Sequence, residues 1–177
     1  DAIRSMRRAN TLDLDPNHPL SSPKLSELQA IIEESVLVSS RKAIVFAEQQ
    51  EMTRAVSTVL EGLEINHVHF HAGVPKDQQS ALVTSFTTDP ACRVFVATDL
   101  GSTGLNLQIA DIIINLDQPW SAARRNQRLG RVYRIGRREP VHIINLVYDE
   151  TVEEAIPLVT GIDRSLLSRH AEADPSK

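Results

Sequence analysis

Short runs in which nearly every residue is apolar constrain this chain most. They are Ala43-Ile44-Val45-Phe46-Ala47, Val94-Phe95-Val96-Ala97 after Arg93, Ile112-Ile113-Ile114-Asn115-Leu116, and Val141-His142-Ile143-Ile144-Asn145-Leu146-Val147, with His67 to Phe70 as a shorter companion. A strand that is apolar on both faces needs cover on both faces, and that is the habit of parallel sheets. The segments between the runs have helical spacing. Met52, Val56, Val59, Leu60 and Leu63 recur along 50–63, and 75–86 starts with a proline in its first turn. Further upstream, Ser22-Pro23 leads into Leu25, Leu28, Ile31, Ile32 and Ser35, an amphipathic helix with proline at its start. Strands alternating with helices predict an α/β fold, a mostly parallel central sheet with helices on both faces. In such sheets ligands sit beyond the carboxyl ends of the strands, where Thr98-Asp99, Asp117-Gln118 and Asp149-Glu150 fall.

Charge is distributed unevenly. Seven of the fifteen arginines lie between Arg124 and Arg138, with no acidic residue among them, in a chain of net charge -4. The rest of the chain therefore carries -11, that is -4 minus 7. If the segment is helical, Gln127, Arg131 and Arg134 share one face at i, i+4 and i+7. An array of one amide and two guanidinium forks suits phosphate oxygens; the alternative is a solvated basic face. Upstream, Thr98-Asp99-Leu100-Gly101-Ser102-Thr103-Gly104 leads from a strand to a short helix through glycines and hydroxyls, a pattern able to cradle phosphate.

Taken in order, these motifs resemble the second half of a superfamily-two helicase. Ala97-Thr98-Asp99 through Gly104-Leu105-Asn106 looks like motif V. Gln127-Arg128-x-Gly130-Arg131-x-x-Arg134 looks like motif VI, and Lys42-Ala43-Ile44-Val45-Phe46 looks like motif IV. His71-Ala72-Gly73, Asn106-Leu107-Gln108, Arg134-Ile135-Gly136 and Asp149-x-Thr151-Val152-Glu153-Glu154 resemble the Swi/Snf-type DNA translocases, including their bacterial RapA-like branch. The chain departs from that pattern at Ser121-Ala122, where the family usually has Asn-Pro, at Arg137, where it usually has glutamine, and at Gln79, where an arginine is common.

The resemblance implies a RecA-like three-layer sandwich over 22–160. A linker from a first lobe precedes it over 1–21, and a C-terminal helix and frayed tail come after it over 161–177. Because the chain starts at Asp1, it is expected to be a piece of a longer protein. The resemblance further implies ATP with Mg2+, bound mainly by the first lobe, with Arg131 and Arg134 reaching across as arginine fingers. Gln127, Gly104, Asn106 and Asp99 would lie near the nucleotide. Thr98, Ser102, Thr103, Phe46, Glu48, Gln49 and Gly73 would contact the backbone of double-stranded DNA, with RNA as the alternative. The implied compartment is cytoplasmic, or nuclear in a eukaryote. Two rival readings are a strand-separating helicase lobe and a catalytically inert nucleic-acid-binding module.

The chain contains no Gly-Lys-Ser/Thr, so the phosphate-loop lysine of a complete nucleotide site is not here. Asp149-Glu150 reads as the acidic lead-in to a helix capped at Thr151. No apolar run reaches the length of a membrane span. His67, His69 and His71 alternate on one strand face without a fourth ligand nearby, so no metal site is expected. The lone Cys92 reads as a buried thiol and Trp120 as a packing anchor.

Overall fold

The computed structural model describes residues 22–99, 104–119, 121–132 and 141–147. Among these residues five strands form one sheet: β1 (Ala43–Ala47), β2 (His67–Phe70), β3 (Val94–Thr98), β4 (Ile112–Asn115) and β5 (His142–Asn145). Their order is β2-β3-β1-β4-β5, and every pairing is parallel. The expected parallel α/β sheet is therefore the observed one.

The helices are α1 (Pro23–Ile31), α2 (Gln50–Gly62), α3 (Lys76–Thr88) and α4 (Ala122–Val132). Alternate strand residues face opposite ways, and two cores result. Ala43, Val45, Val94, Val96, Ile112 and Ile114 meet Leu25, Leu28 and Ile31 of α1 and Met52, Val56 and Leu60 of α2. On the opposite face Ile44, Phe46, Phe95, Ala97 and Ile113 meet Phe86 of α3 and Val132 of α4. This is a three-layer sandwich. β1 at its centre is buried along its whole length, which is why its sequence shows no alternation.

Pro23 is the first residue of α1, where its missing N–H costs no hydrogen bond. The helix then widens into a π-helical segment, Ile32–Leu37, which the apolar spacing did not foretell. α3 is anchored thinly. Phe86 is its one fully buried residue among those described, with Leu82 and Val83 partly buried. A lysine from the base of β1 compensates. Lys42 Nζ donates to the carbonyls of Phe86 (2.5 Å), Asp89 (2.6 Å) and Cys92 (2.9 Å), and it lies over the Phe86 ring. A cation at a helix C-terminus satisfies orphan carbonyls and opposes the helix dipole.

The expected linker over 1–21, the capping box at Thr151 and the tail over 161–177 lie outside the described residues, as does Trp120.

Candidate nucleotide and nucleic-acid interface

Through Arg128, α4 reaches the carboxyl ends of β3 and β4, and its first turn shows why it starts where it does. Ser121 Oγ accepts the N–H of Arg124 at 3.2 Å, and the Ser121 carbonyl accepts that of Arg125. Ser121 is thus the N-cap, a role that serine fills as well as asparagine. The departure from the Swi/Snf pattern at this position keeps the capping chemistry.

The arginines of α4 divide by helix phase. Arg124 and Gln127 are exposed, Arg131 is half-buried, and Arg128 points inward with 4% of its surface accessible. Nε of Arg128 donates to Asp99 Oδ1 at 2.6 Å and Nη2 to Oδ2 at 2.9 Å, a bidentate pair. Nη1 donates to Asn115 Oδ1 at 2.7 Å and to the Asp117 carbonyl at 2.9 Å. The guanidinium also lies over the Phe46 ring, 5.3 Å from its centroid. Four of its five N–H donors are therefore used, and the flat face is covered as well.

The network extends sideways along the strand ends. Asn115 Nδ2 donates to Asn145 Oδ1 at 2.8 Å, joining β4 to β5. Asp117 Oδ2 accepts the Glu48 N–H at 2.7 Å, and the Glu48 carboxylate pairs with Arg124 at 3.2 Å near the surface. Such a half-exposed pair contributes at most about 1 kcal/mol. Lys24 is buried, and its ammonium donates to the Leu116 carbonyl at 2.7 Å.

A loop lies against the last turn of α4. Gly104 has φ +85°, a left-handed conformation that disfavours a side chain. Leu107 is buried, and its N–H donates to the Arg131 carbonyl at 3.0 Å. Asn106 beside it is exposed. Asn106 thus precedes in sequence the residue that meets α4 at Arg131, with Gln127 one turn earlier on the helix. Among the described residues Nε of Arg131 is buried with no hydrogen-bond partner, and neither amide atom of the buried Gln118 has one. Buried polar groups of this kind cost free energy until an acceptor or donor arrives.

The residues expected on the nucleic-acid side differ in exposure. Thr98 closes β3 and is mostly buried, while Glu48 and Gln49 stand half-exposed after β1, Gln49 as the N-cap of α2. Phe46 has no exposed surface; its ring is core and supports Arg128. Gly73 is exposed, and its N–H donates to His71 Nδ1 at 3.1 Å. Gln79 Nε2 donates to the Val74 carbonyl at 2.9 Å, closing the turn after Gly73. Arg134, Ser102 and Thr103 lie outside the described residues.

Across β2 the three histidines face α2. His67 Nε2 meets Ser57 Oγ at 2.6 Å, His69 Nε2 meets Thr53 Oγ1 at 2.9 Å, and His71 Nδ1 meets Gln50 Nε2 at 3.1 Å. Strand positions two apart match helix positions three and four apart, so the partners run in register. Burial first, then the neighbouring His71 and His67, lowers the pKa of His69 to about 4. Among the described residues no group of three metal-ligating side chains converges, and no helix is long and apolar enough to cross a membrane.

Sequence reasoning did not single out Arg128, Asn115, Asn145 or Lys24 as individuals. A signal existed for the asparagines, since each follows a pair or more of isoleucines and interrupts an apolar run. Nothing local distinguishes Arg128 from Arg131, because only the phase of the helix against the sheet turns one inward.

Comparison with known proteins agrees with this geometry. The family profile of the helicase conserved C-terminal domain matches residues 23–136. The chain is 34% identical over 115 residues to the uncharacterized ATP-dependent helicase YqhH of Bacillus subtilis, covering 65% of this chain and 20% of that protein. It is 31% identical over 137 residues to helicase SWR1 of Yarrowia lipolytica, covering 75% of this chain and 8% of that protein. It thus spans a fifth or less of these relatives. The C-terminal part of the Fun30 ATPase domain superposes with a TM-score of 0.75 at 20% identity, covering 85% of this chain and 49% of that one. The Pyrococcus furiosus Hef helicase domain superposes with a TM-score of 0.63 at 28% identity, covering 78% of this chain and 28% of that one. The chain belongs to the helicase conserved C-terminal domain family, as the RecA-like C-terminal lobe of a superfamily-two helicase/ATPase with Snf2-type proteins among its relatives.

Proposed function

We propose that this chain is the second motor lobe of an ATP-driven translocase acting on double-stranded DNA, and that it completes a nucleotide site whose floor belongs to a first RecA-like lobe. The observation that carries the reading is Arg131. Its Nε is buried without an acceptor among the described residues, on the helix face it shares with Gln127, and its carbonyl binds Leu107, the residue after the exposed Asn106. A desolvated guanidinium nitrogen without a partner fits a phosphate oxygen brought by another domain.

In this assignment Arg131 and Arg134 are the arginine fingers, and Gln127, Gly104 and Asn106 line the nucleotide side. ATP with Mg2+ supplies the transferable phosphoryl group, and the arginines stabilise charge that grows during its transfer. Such a finger contributes on the order of 10³–10⁵ in rate. Thr98, Ser102, Thr103, Glu48, Gln49 and Gly73 meet the sugar-phosphate backbone, a contact without sequence information. The phosphate-loop lysine is not in this sequence, so the lobe alone does not hydrolyse ATP. The compartment is cytoplasmic, or nuclear in a eukaryote.

The test uses the full-length protein. Arg131→Ala and Arg134→Ala are each expected to lower DNA-stimulated turnover by about 10³-fold or more with an unchanged circular dichroism spectrum. Unchanged turnover in both overturns the assignment. A duplex-unwinding assay separates translocation along a duplex from strand separation; release of single strands would replace the first reading with the second.

A further inference from the structure

We infer that Arg128 and Asp99 are a positioning pair rather than nucleotide ligands, and that the pair locks the carboxyl end of β3 to helix α4. The inference rests on the reading of Arg131 as a finger and adds how that finger is held.

The first ground is saturation. Arg128 has four hydrogen bonds to described residues, a covered ring face and 4% exposure, so it cannot swing to a phosphate without abandoning all of them. Both carboxylate oxygens of Asp99 accept from it. A carboxylate held in this way has its strongest lone-pair directions committed.

The second ground is the pattern of attachment. Asp99 and Leu107 are each tied to α4. Asp99 binds the Arg128 side chain, and Leu107 N–H binds the Arg131 carbonyl. The two anchor points are three residues apart, about one helical turn. The strand ends join at the same hub, β1 through the Phe46 ring, β4 through Asn115 and Asp117, and β5 through Asn145. Helix α4 therefore has its height and rotation set by Arg128, and Arg131 inherits that setting. A displacement of about 1 Å at a catalytic group can cost roughly 10²-fold in rate. Lysine cannot replace the fork, because a point charge cannot serve a bidentate carboxylate and two further acceptors at once.

The experiment is a double-mutant cycle in the full-length protein. Steady-state ATPase is measured with linear duplex DNA for Asp99→Asn, Arg128→Lys, Arg128→Gln and Asp99→Asn/Arg128→Gln. The expected result is a fall of about 10²-fold in kcat for Asp99→Asn and for Arg128→Gln, with the KM for ATP within about threefold of the parent. The double variant is expected to be no slower than Arg128→Gln alone, because the two residues act through each other. Arg128→Lys is expected to restore little. The inference is overturned if Asp99→Asn raises the KM for ATP tenfold or more while Arg128→Lys leaves it unchanged, or if the two losses multiply. Should the glutamine variant fail to fold, the near-isosteric Asp99→Asn still delivers the split between kcat and KM. Failure of the finger reading shows separately, as full turnover in Arg131→Ala.

Discussion

Replacing Lys42 by methionine isolates what one ammonium does for a whole helix. Methionine keeps most of the stem and removes the three hydrogen bonds to the Phe86, Asp89 and Cys92 carbonyls. A hydrogen bond with a charged partner contributes about 1.5–3 kcal/mol where it is shielded from water. The bonds to Phe86 and Cys92 are part-buried, whereas that to Asp89 is exposed and adds little. The bonds share one cation and are not additive, so a net loss of about 2–3 kcal/mol is expected. Urea unfolding of the chain followed by circular dichroism would then show a midpoint about 1–2 M lower at unchanged slope. The loss should be local first. Because α3 has one fully buried residue to hold it, amide exchange should accelerate over its second half, Leu82 to Thr88, more than in β1 or β3. A midpoint shift equivalent to under about 0.5 kcal/mol, or exchange that rises uniformly, would refute the reasoning, since surface substitutions without a structural role stay within that range.

Two further outcomes rest on the geometry. The folded state holds His69 neutral with a pKa of about 4, below its unfolded value, so the unfolded chain binds more protons between about pH 4 and 6.5. The stability tied to His69 is therefore complete above about pH 6.5 and is lost as pH falls toward 4; His69→Gln should flatten that part of a urea-midpoint profile, and an equally steep profile would contradict it. At Gly104 a side chain meets no described residue within 4 Å but must adopt φ +85°, so Gly104→Ala should cost about 1–2 kcal/mol through backbone strain, and a neutral melting temperature would contradict it.

How far the sequence speaks depends on how local the cause is. The parallel sheet was legible because burial on both faces removes polar residues from a strand, and Ala43–Ala47 and Val94–Thr98 show it. Strand order was not legible, since β1 pairs with β3 and β4, 51 and 69 residues away in register, and no local pattern records such a pairing. The arginine block announced a charged helix, yet which of its arginines turns inward was hidden. Arg128 and Arg131 have similar neighbours, and the partner that turns one inward, Asp99, stands 29 residues upstream. Phe46 shows burial that its motif does not record: the centre of a covered sheet places its ring in the core, and Glu48 and Gln49 after it are half-exposed. The histidine alternation likewise reflects a neighbouring helix, with Ser57, Thr53 and Gln50 spaced to meet it.

The claim that matters most is that Arg131 serves the transition state of a reaction whose other half lies on another lobe. Calorimetric titration of the full-length protein, parent and Arg131→Ala, with ADP plus aluminium fluoride and with a non-hydrolysable ATP analogue tests it directly. The account predicts that Arg131→Ala weakens the transition-state mimic by about 10³-fold and the ground-state analogue by less than about tenfold. Equal weakening of both ligands, or of neither, would contradict it.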